Sequence, residues 1–122
     1  MEQQDFKSPE LKELETIELV GITFIRDYIQ FLFDGPLLNT YTLPSIIFQN
    51  KTLTSKDFGY YDALCSLIGK SIIFTNVDET HERIEIFFEN EVQIFVSLKD
   101  EDRECAEAAM LRIETGGIWK IW

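Results

Sequence analysis

From Glu18 onward the chain alternates with a period of two. Val20, Ile22 and Phe24 fall to one side, Leu19, Gly21, Thr23 and Ile25 to the other, and Arg26-Asp27 breaks the run. That period belongs to a β-strand, whose successive side chains point to opposite faces. Ile29, Phe31 and Phe33 then alternate with Tyr28, Gln30 and Leu32, predicting a second strand antiparallel to the first. Asp34-Gly35-Pro36 closes it, because Gly tolerates positive φ and Pro has no N–H for a ladder. Residues 38–43 continue as a third strand ended by Pro44, so the whole stretch predicts a β-meander.

Ser45–Phe48 reads as a further short strand, followed by a polar loop around Asn50-Lys51-Thr52. The period changes at Asp57. Tyr61, Leu64, Cys65 and Ile68 recur at i, i+3, i+4 and i+7, predicting an amphipathic helix over 57–69 that ends at Gly69 and packs this stripe on a sheet. Strands are predicted over 71–76, 83–89 and 92–98, the last two as a hairpin turning near Asn90. Ser8-Pro9-Glu10-Leu11 supplies a cap, a first-turn Pro and an acid, which predicts a short helix near 9–15. A second short helix is predicted near 100–107. Residues 110–114 alternate and lead through Thr115-Gly116-Gly117 into 118–122, a C-terminal hairpin, with a longer helix through Leu111 as the open alternative.

The fold class expected is α+β. One domain spans 1–122, with residues 1–8 open to disorder, and holds a mainly antiparallel, twisted sheet of about six to eight strands under the 57–69 helix. With 45% hydrophobic residues and ten Phe, the chain has the material for a core.

Charge narrows the partners. The formal net charge is −11, and it divides as −4 over 1–18, 0 over 19–77, −8 over 78–107 and +1 over 108–122. Nucleic acids and anionic membranes are bound by Lys and Arg that displace counterions, so neither is expected as a partner. No apolar run approaches about 18 residues, and the N-terminus lacks the basic and apolar regions of a secretory signal, so the expected location is cytoplasmic. In that reducing setting Cys65 and Cys105 are expected as buried free thiols, and Asn50-Lys51-Thr52 as an unused sequon.

Catalytic and metal chemistry finds little to stand on. His81 is the one histidine, set in a polar connection, and no G-x-S-x-G elbow accompanies it. Asp100-Glu101-Asp102-Arg103-Glu104 begins like a calcium loop but carries Cys105 where Gly is needed and Leu111 where the bidentate acid belongs. Gly69 and Gly116-Gly117 lack phosphate-loop spacing. The expectation is therefore no enzyme, no cofactor and no metal.

What remains is binding. Glu82, Glu85, Glu89, Glu91, Asp100 and Asp102 are the candidate steering charges, and Tyr28, Phe87 and Phe95 the candidate contacts, for a basic protein partner. The alternative is a small-molecule or catalytic pocket between the 57–69 helix and the sheet, lined by Tyr41, Tyr60, Tyr61 and Asp62. Self-association through an edge strand is a third route.

The runs "GITFIRDYIQFLFDGPLLNTYTLP", "GYYDALCSLIGK", "QIFVSLKDED" and "GGIWKIW" resemble a group of small bacterial α+β proteins of uncharacterised function, over most of the chain after Ile17. In size and acidity the chain is similar in general character to immunity proteins, which neutralise a toxin. That similarity implies an immunity-like binding role and assigns no residue.

Overall fold

The computed structural model describes residues 9–113 and 118–122. The first alternating run forms β1 (Leu19–Ile25) and β2 (Tyr28–Phe33), paired antiparallel across Arg26-Asp27, and β3 (Leu37–Thr40) completes the expected meander. Within β1 the register slips between Leu19 and Gly21. Leu19 therefore lies across from Phe33, on the same face as Ile22 across from Phe31 and Phe24 across from Ile29. Strict alternation places Leu19 on the other face. The bulge brings it into the core and turns Val20 out to solvent.

Residues 41–44 then carry the chain out of this sheet and into another. β4 (Ser45–Phe48) and β5 (Lys51–Leu53) form a hairpin; β6 (Ile72–Asp78), β7 (Arg83–Phe88) and β8 (Val92–Ser97) follow. β9 (Ala109–Ile113) and β10 (Ile118–Ile121) return to the first sheet beside β3, so 109–113 is strand and not helix. The Gly-rich turn between them and the 1–8 end lie outside the described residues. The orders are β1-β2-β3-β9-β10 and β5-β4-β8-β7-β6, with every neighbour antiparallel. The expected single sheet is thus two sheets of five strands in one small α+β domain. Periodicity reports which way a strand faces; it does not report which strands are its neighbours.

Three local expectations are corrected. Lys51-Thr52 is strand, not loop: Gln49 and Asn50 both take positive φ, a two-residue turn that sets Phe48 against Lys51. The main helix is α2 (Tyr60–Cys65), shorter than 57–69, and its stripe is turned by one residue. Tyr60, Ala63, Leu64 and Leu67 are buried, whereas Tyr61 (51% exposed), Cys65 and Ile68 (42% exposed) face outward. The helical spacing is as expected but counts from Tyr60. Beyond Cys65 the chain tightens into i→i−3 turns, Leu67 onto Leu64 and Ile68 onto Cys65, until Gly69 at φ 93°. Cys65 and Cys105 are consequently both exposed free thiols, not buried ones.

The short helix near 100–107 also does not form. Asp100–Asp102 makes one 3-10 turn, after which Arg103 is extended and its guanidinium bonds the carbonyls of Leu98 and Ala106. A helix there would set Asp100 and Glu101 against Glu104 on one face, like charges at i, i+4 and i, i+3.

The inner faces of both sheets share one core. Phe31, Leu38 and Leu111 come from the first, Ile46, Ile84, Ile86, Phe88 and Ile94 from the second, and Tyr60, Leu64 and Leu67 from α2. The sheets also meet edge to edge, where Glu18 bridges Ser71 and the Leu19 N–H donates to the Lys70 carbonyl at 2.9 Å. α1 (Pro9–Lys12) and the turns after it cover the free edge of β6. Lys12 Nζ donates to the Thr75 carbonyl, and the Thr75 N–H donates to the Glu15 carboxylate at 2.8 Å. No helix among the described residues is long and apolar enough to cross a membrane.

Leu64→Ala should cost about 2–5 kcal/mol in denaturant unfolding, whereas Ile68→Ala should stay within about 0.5 kcal/mol, since only Leu64 fills the core. The reverse order would restore the stripe read from the sequence. The Thr75 N–H, helped by Lys12, holds the Glu15 carboxyl below its ordinary range. A lowered carboxyl contributes stability that is present above its unfolded value and lost as pH falls through the folded one. Urea unfolding should therefore show Glu15→Gln less stable than wild type at neutral pH, with the gap closing on acidification.

A mixed-charge groove as the candidate functional site

The outer face of the second sheet is a grid set by register. One cross-strand row runs Thr52, Ile47, Gln93, Phe87, Phe74; the next runs Ser45, Phe95, Glu85, Asn76; the third runs Ser97, Arg83, Asp78. Residues directly opposite on antiparallel strands share a face and touch. Arg83 lies over the Phe95 ring, 4.1 Å from its centroid, and its Nε donates to Glu85 at 2.9 Å. The side-chain amide of Asn76 donates to the other Glu85 oxygen. Ser97 donates to Asp102 at 2.6 Å.

Over the β5, β4 and β8 part of this grid lies an open groove of about 1090 Å³. Ile47, Gln93, Phe95 and Ser97 form its floor. Its walls come from four loops: Arg26-Asp27, residues 41–43, residues 54–56, and the segment from Lys99 to Glu104, with His81 at one end. Within the wall Tyr41 packs tilted against Tyr28 with centroids 5.2 Å apart, and its hydroxyl accepts from the Asn39 amide. The Tyr41 and Thr42 N–H groups both donate to the Ala108 carbonyl. Just behind, the buried Tyr60 hydroxyl donates to the Pro44 carbonyl at 2.6 Å. Burial pushes that phenol well above its ordinary pKa, with Tyr61 adding to the shift, so it stays a donor.

The charge balance of the groove differs from that of the chain. Lys and Arg are half as numerous as Asp and Glu overall, yet Arg26, Lys56, Arg83 and Lys99 line the groove against Asp27, Asp102 and Glu104.

The residues expected to act together are divided by this geometry. Phe95 is on the groove floor and Asp102 on its rim. Tyr28 stands behind the wall, and Phe87 lies further along the sheet, tilted against Phe74 at 5.6 Å. Glu82 and Asp100 are exposed at the Arg83–Ser97 end of the β7–β8 hairpin, while Glu89 and Glu91 sit in the 3-10 turn at the other end, about 17–20 Å away. Glu89 there accepts the Ser71 N–H. Glu85 is no free surface charge: it is 8% exposed and held by Arg83 and Asn76. Of Tyr41, Tyr60, Tyr61 and Asp62, the Tyr60 and Tyr61 rings meet edge to face with centroids 5.0 Å apart, and the four do not converge on one pocket. Tyr41 is in the groove, Tyr60 in the core, Tyr61 edge-on to Phe24 at the surface, and Asp62 exposed. His81 is exposed, its Nδ1 2.7 Å from Asp78, whose carboxyl that contact holds below the usual range. Among the described residues no three His, Cys, Asp or Glu side chains form a group that could hold a metal.

Arg26, Thr42, Lys56, Gln93 and Lys99 went unmarked by the sequence. They come from segments far apart in the chain, and only the strand order assembles them.

Tyr60→Phe should lower stability by about 1–3 kcal/mol, because the buried Pro44 carbonyl loses its donor. It should also speed hydrogen exchange at the Tyr41 and Thr42 amides beyond the change at β2, which amide exchange measures directly. Comparison with known proteins finds no matching family model, curated protein or solved structure.

Proposed function

We propose that this chain is a non-enzymatic binding protein acting through a protein–protein interface, and that the groove over β4, β5 and β8 is its contact surface. The observation that carries this reading is the groove's build. It is an open groove, not an enclosed pocket, and its volume of about 1090 Å³ stands at the upper end of the roughly 300–1,000 Å³ of small-molecule sites. Its floor offers an aromatic ring under an arginine, the residue types that concentrate binding energy at interfaces. Charged rims around such a floor fix orientation and exclude wrong partners. The pocket alternative between helix and sheet has less to support it, since Tyr41 lines the groove, Tyr60 and Tyr61 pack edge to face at 5.0 Å instead of around a cavity, and Asp62 is exposed.

The net charge of −11 favours a partner that is basic overall, steered to the surface before contact. Glu82, Asp100 and Asp102 stand at the groove's His81 end, where they would meet it first. An immunity-like role in the cytoplasm, covering the working surface of a toxin, is the narrower form of the proposal. Self-association through the β1 edge is the competitor, and light scattering on the purified chain separates the two.

The test is affinity capture from the source cells at low and high salt, with the captured protein identified, purified and re-measured. Glu82→Lys/Asp100→Lys should slow association and flatten its salt dependence, and Phe95→Ala should weaken the complex by about tenfold or more. A complex indifferent to Phe95→Ala places the interface elsewhere. Recovery of nothing but the chain itself removes the proposal.

A further inference from the structure

Two turns of the second sheet end side by side. Extending the β4 to β8 register beyond Ile47 across from Gln93 sets Phe48 against Val92, Gln49 against Glu91 and Asn50 against Asn90. Between these turns and the end of α2 lies a cavity of about 300 Å³ that shares no lining residue with the groove. Its floor is the end of the core, Phe48, Leu67 and Val92. The volume stands at the lower end of the roughly 300–1,000 Å³ of ligand sites, room for one small molecule. Backbone conformation singles the same place out. Six residues other than glycine take positive φ among the described residues, and four of them line this cavity: Gln49 at 53°, Asn50 at 66°, Asn90 at 64° and Glu91 at 62°. Asn tolerates the left-handed region, but Gln and Glu lack that tolerance, and Asn-Gly or Gly-Gly would close a two-residue turn without strain. Strain of this kind clusters at ligand clamps, and here it keeps a carboxamide and a carboxylate where glycine would offer neither. The third wall is held in place as well. The Glu89 N–H donates to the Ser71 carbonyl at 3.1 Å and the Ser71 N–H donates to the Glu89 carboxylate at 3.0 Å, which ties the segment after α2 to the 89–91 turn.

We infer that this cavity is a binding site for a small neutral sugar, separate from the protein-docking groove. Each carboxamide of Gln49, Asn50 and Asn90 presents a donor and an acceptor side by side, the complement of neighbouring hydroxyls that both donate and accept. Half-buried Lys70 adds donors and Glu91 adds acceptors. Their charges cancel, so the site asks for no net charge in its ligand. A simple anion is repelled by Glu91 and a simple cation by Lys70, whereas an uncharged polyol meets both as hydrogen-bond partners. The apolar floor of Phe48, Leu67 and Val92 suits the C–H face of a sugar ring. With the walls already tied together, little ordering remains to oppose binding.

The experiment titrates the isotope-labelled full chain with glucose, galactose, mannose, ribose and N-acetylglucosamine, and separately with glycine as a small zwitterion, and reads backbone amide shifts. At least one sugar should move Gln49, Asn50, Leu67, Lys70 and Glu91 saturably at millimolar concentration, with no loss on adding salt because the ligand is uncharged. Gln49→Gly and Glu91→Gly should each leave the urea midpoint no lower, since they release left-handed strain, and should each weaken the sugar by about tenfold or more. Thr16→Gly releases the same kind of strain, φ 72°, away from the cavity and should leave the sugar's affinity unchanged. The inference is overturned if no sugar moves these amides at tens of millimolar, or if glycine moves them as readily as any sugar does. It is equally overturned if the two cavity variants bind the sugar as wild type does, or if Thr16→Gly weakens it as much as they do.

Discussion

The hydrogen bond from the Tyr60 hydroxyl to the Pro44 carbonyl fixes the place where one sheet gives way to the other. β3 leaves the first sheet at Thr40 and β4 begins the second at Ser45, so four residues must reverse the chain's allegiance. Pro44 cannot donate, and a buried carbonyl without a donor is costly. Tyr60 reaches that carbonyl because α2 places it inward, and the Ala108 carbonyl takes the Tyr41 and Thr42 N–H groups from the opposite side. The connection is held at both ends. Since residues 41–43 are also a wall of the groove, the contact that joins the sheets also shapes the surface proposed for binding.

That surface separates two electrostatic tasks in space. The exterior acids of 78–107 give the molecule its field, whereas the groove sits close to neutrality. Glu85 illustrates the division. It is acidic by sequence and spends its charge on Arg83, which in turn is pressed against Phe95. A flat, uniformly negative face would attract any cation; alternating cations and anions around an aromatic floor discriminate between them.

Much of the strand content could be read from alternation alone. β1, β2, β4 and β6 to β8 fall close to where period two places them, whereas the third strand, expected over 38–43, stops at Thr40 because residues 41–44 cross to the other sheet. What escaped was decided by longer-range physics. The bulge at Val20 altered a face that strict alternation had assigned, and consecutive left-handed residues at 49 and 50 made a strand of a polar stretch. In the helix, Tyr60 and Tyr61 are chemically alike, and it is Tyr60 that turns inward, on the face of Ala63, Leu64 and Leu67, where its hydroxyl meets the Pro44 carbonyl. The groove was the least legible feature, because five separate segments contribute to it and none carries a local motif.

The four sheet edges are not equally guarded. β5 and β10 are short, β6 is covered by α1, but β1 runs seven residues without a charge and shows Val20, Phe24 and Ile25 to solvent beside Tyr61. Such a border is where a growing chain, until the Lys70–Ile72 segment has been synthesised, presents adhesive backbone. The speed with which Ile17 and Leu19 close against the Lys70–Ile72 segment during synthesis therefore sets how long nascent copies in a crowded cell remain able to stick to one another.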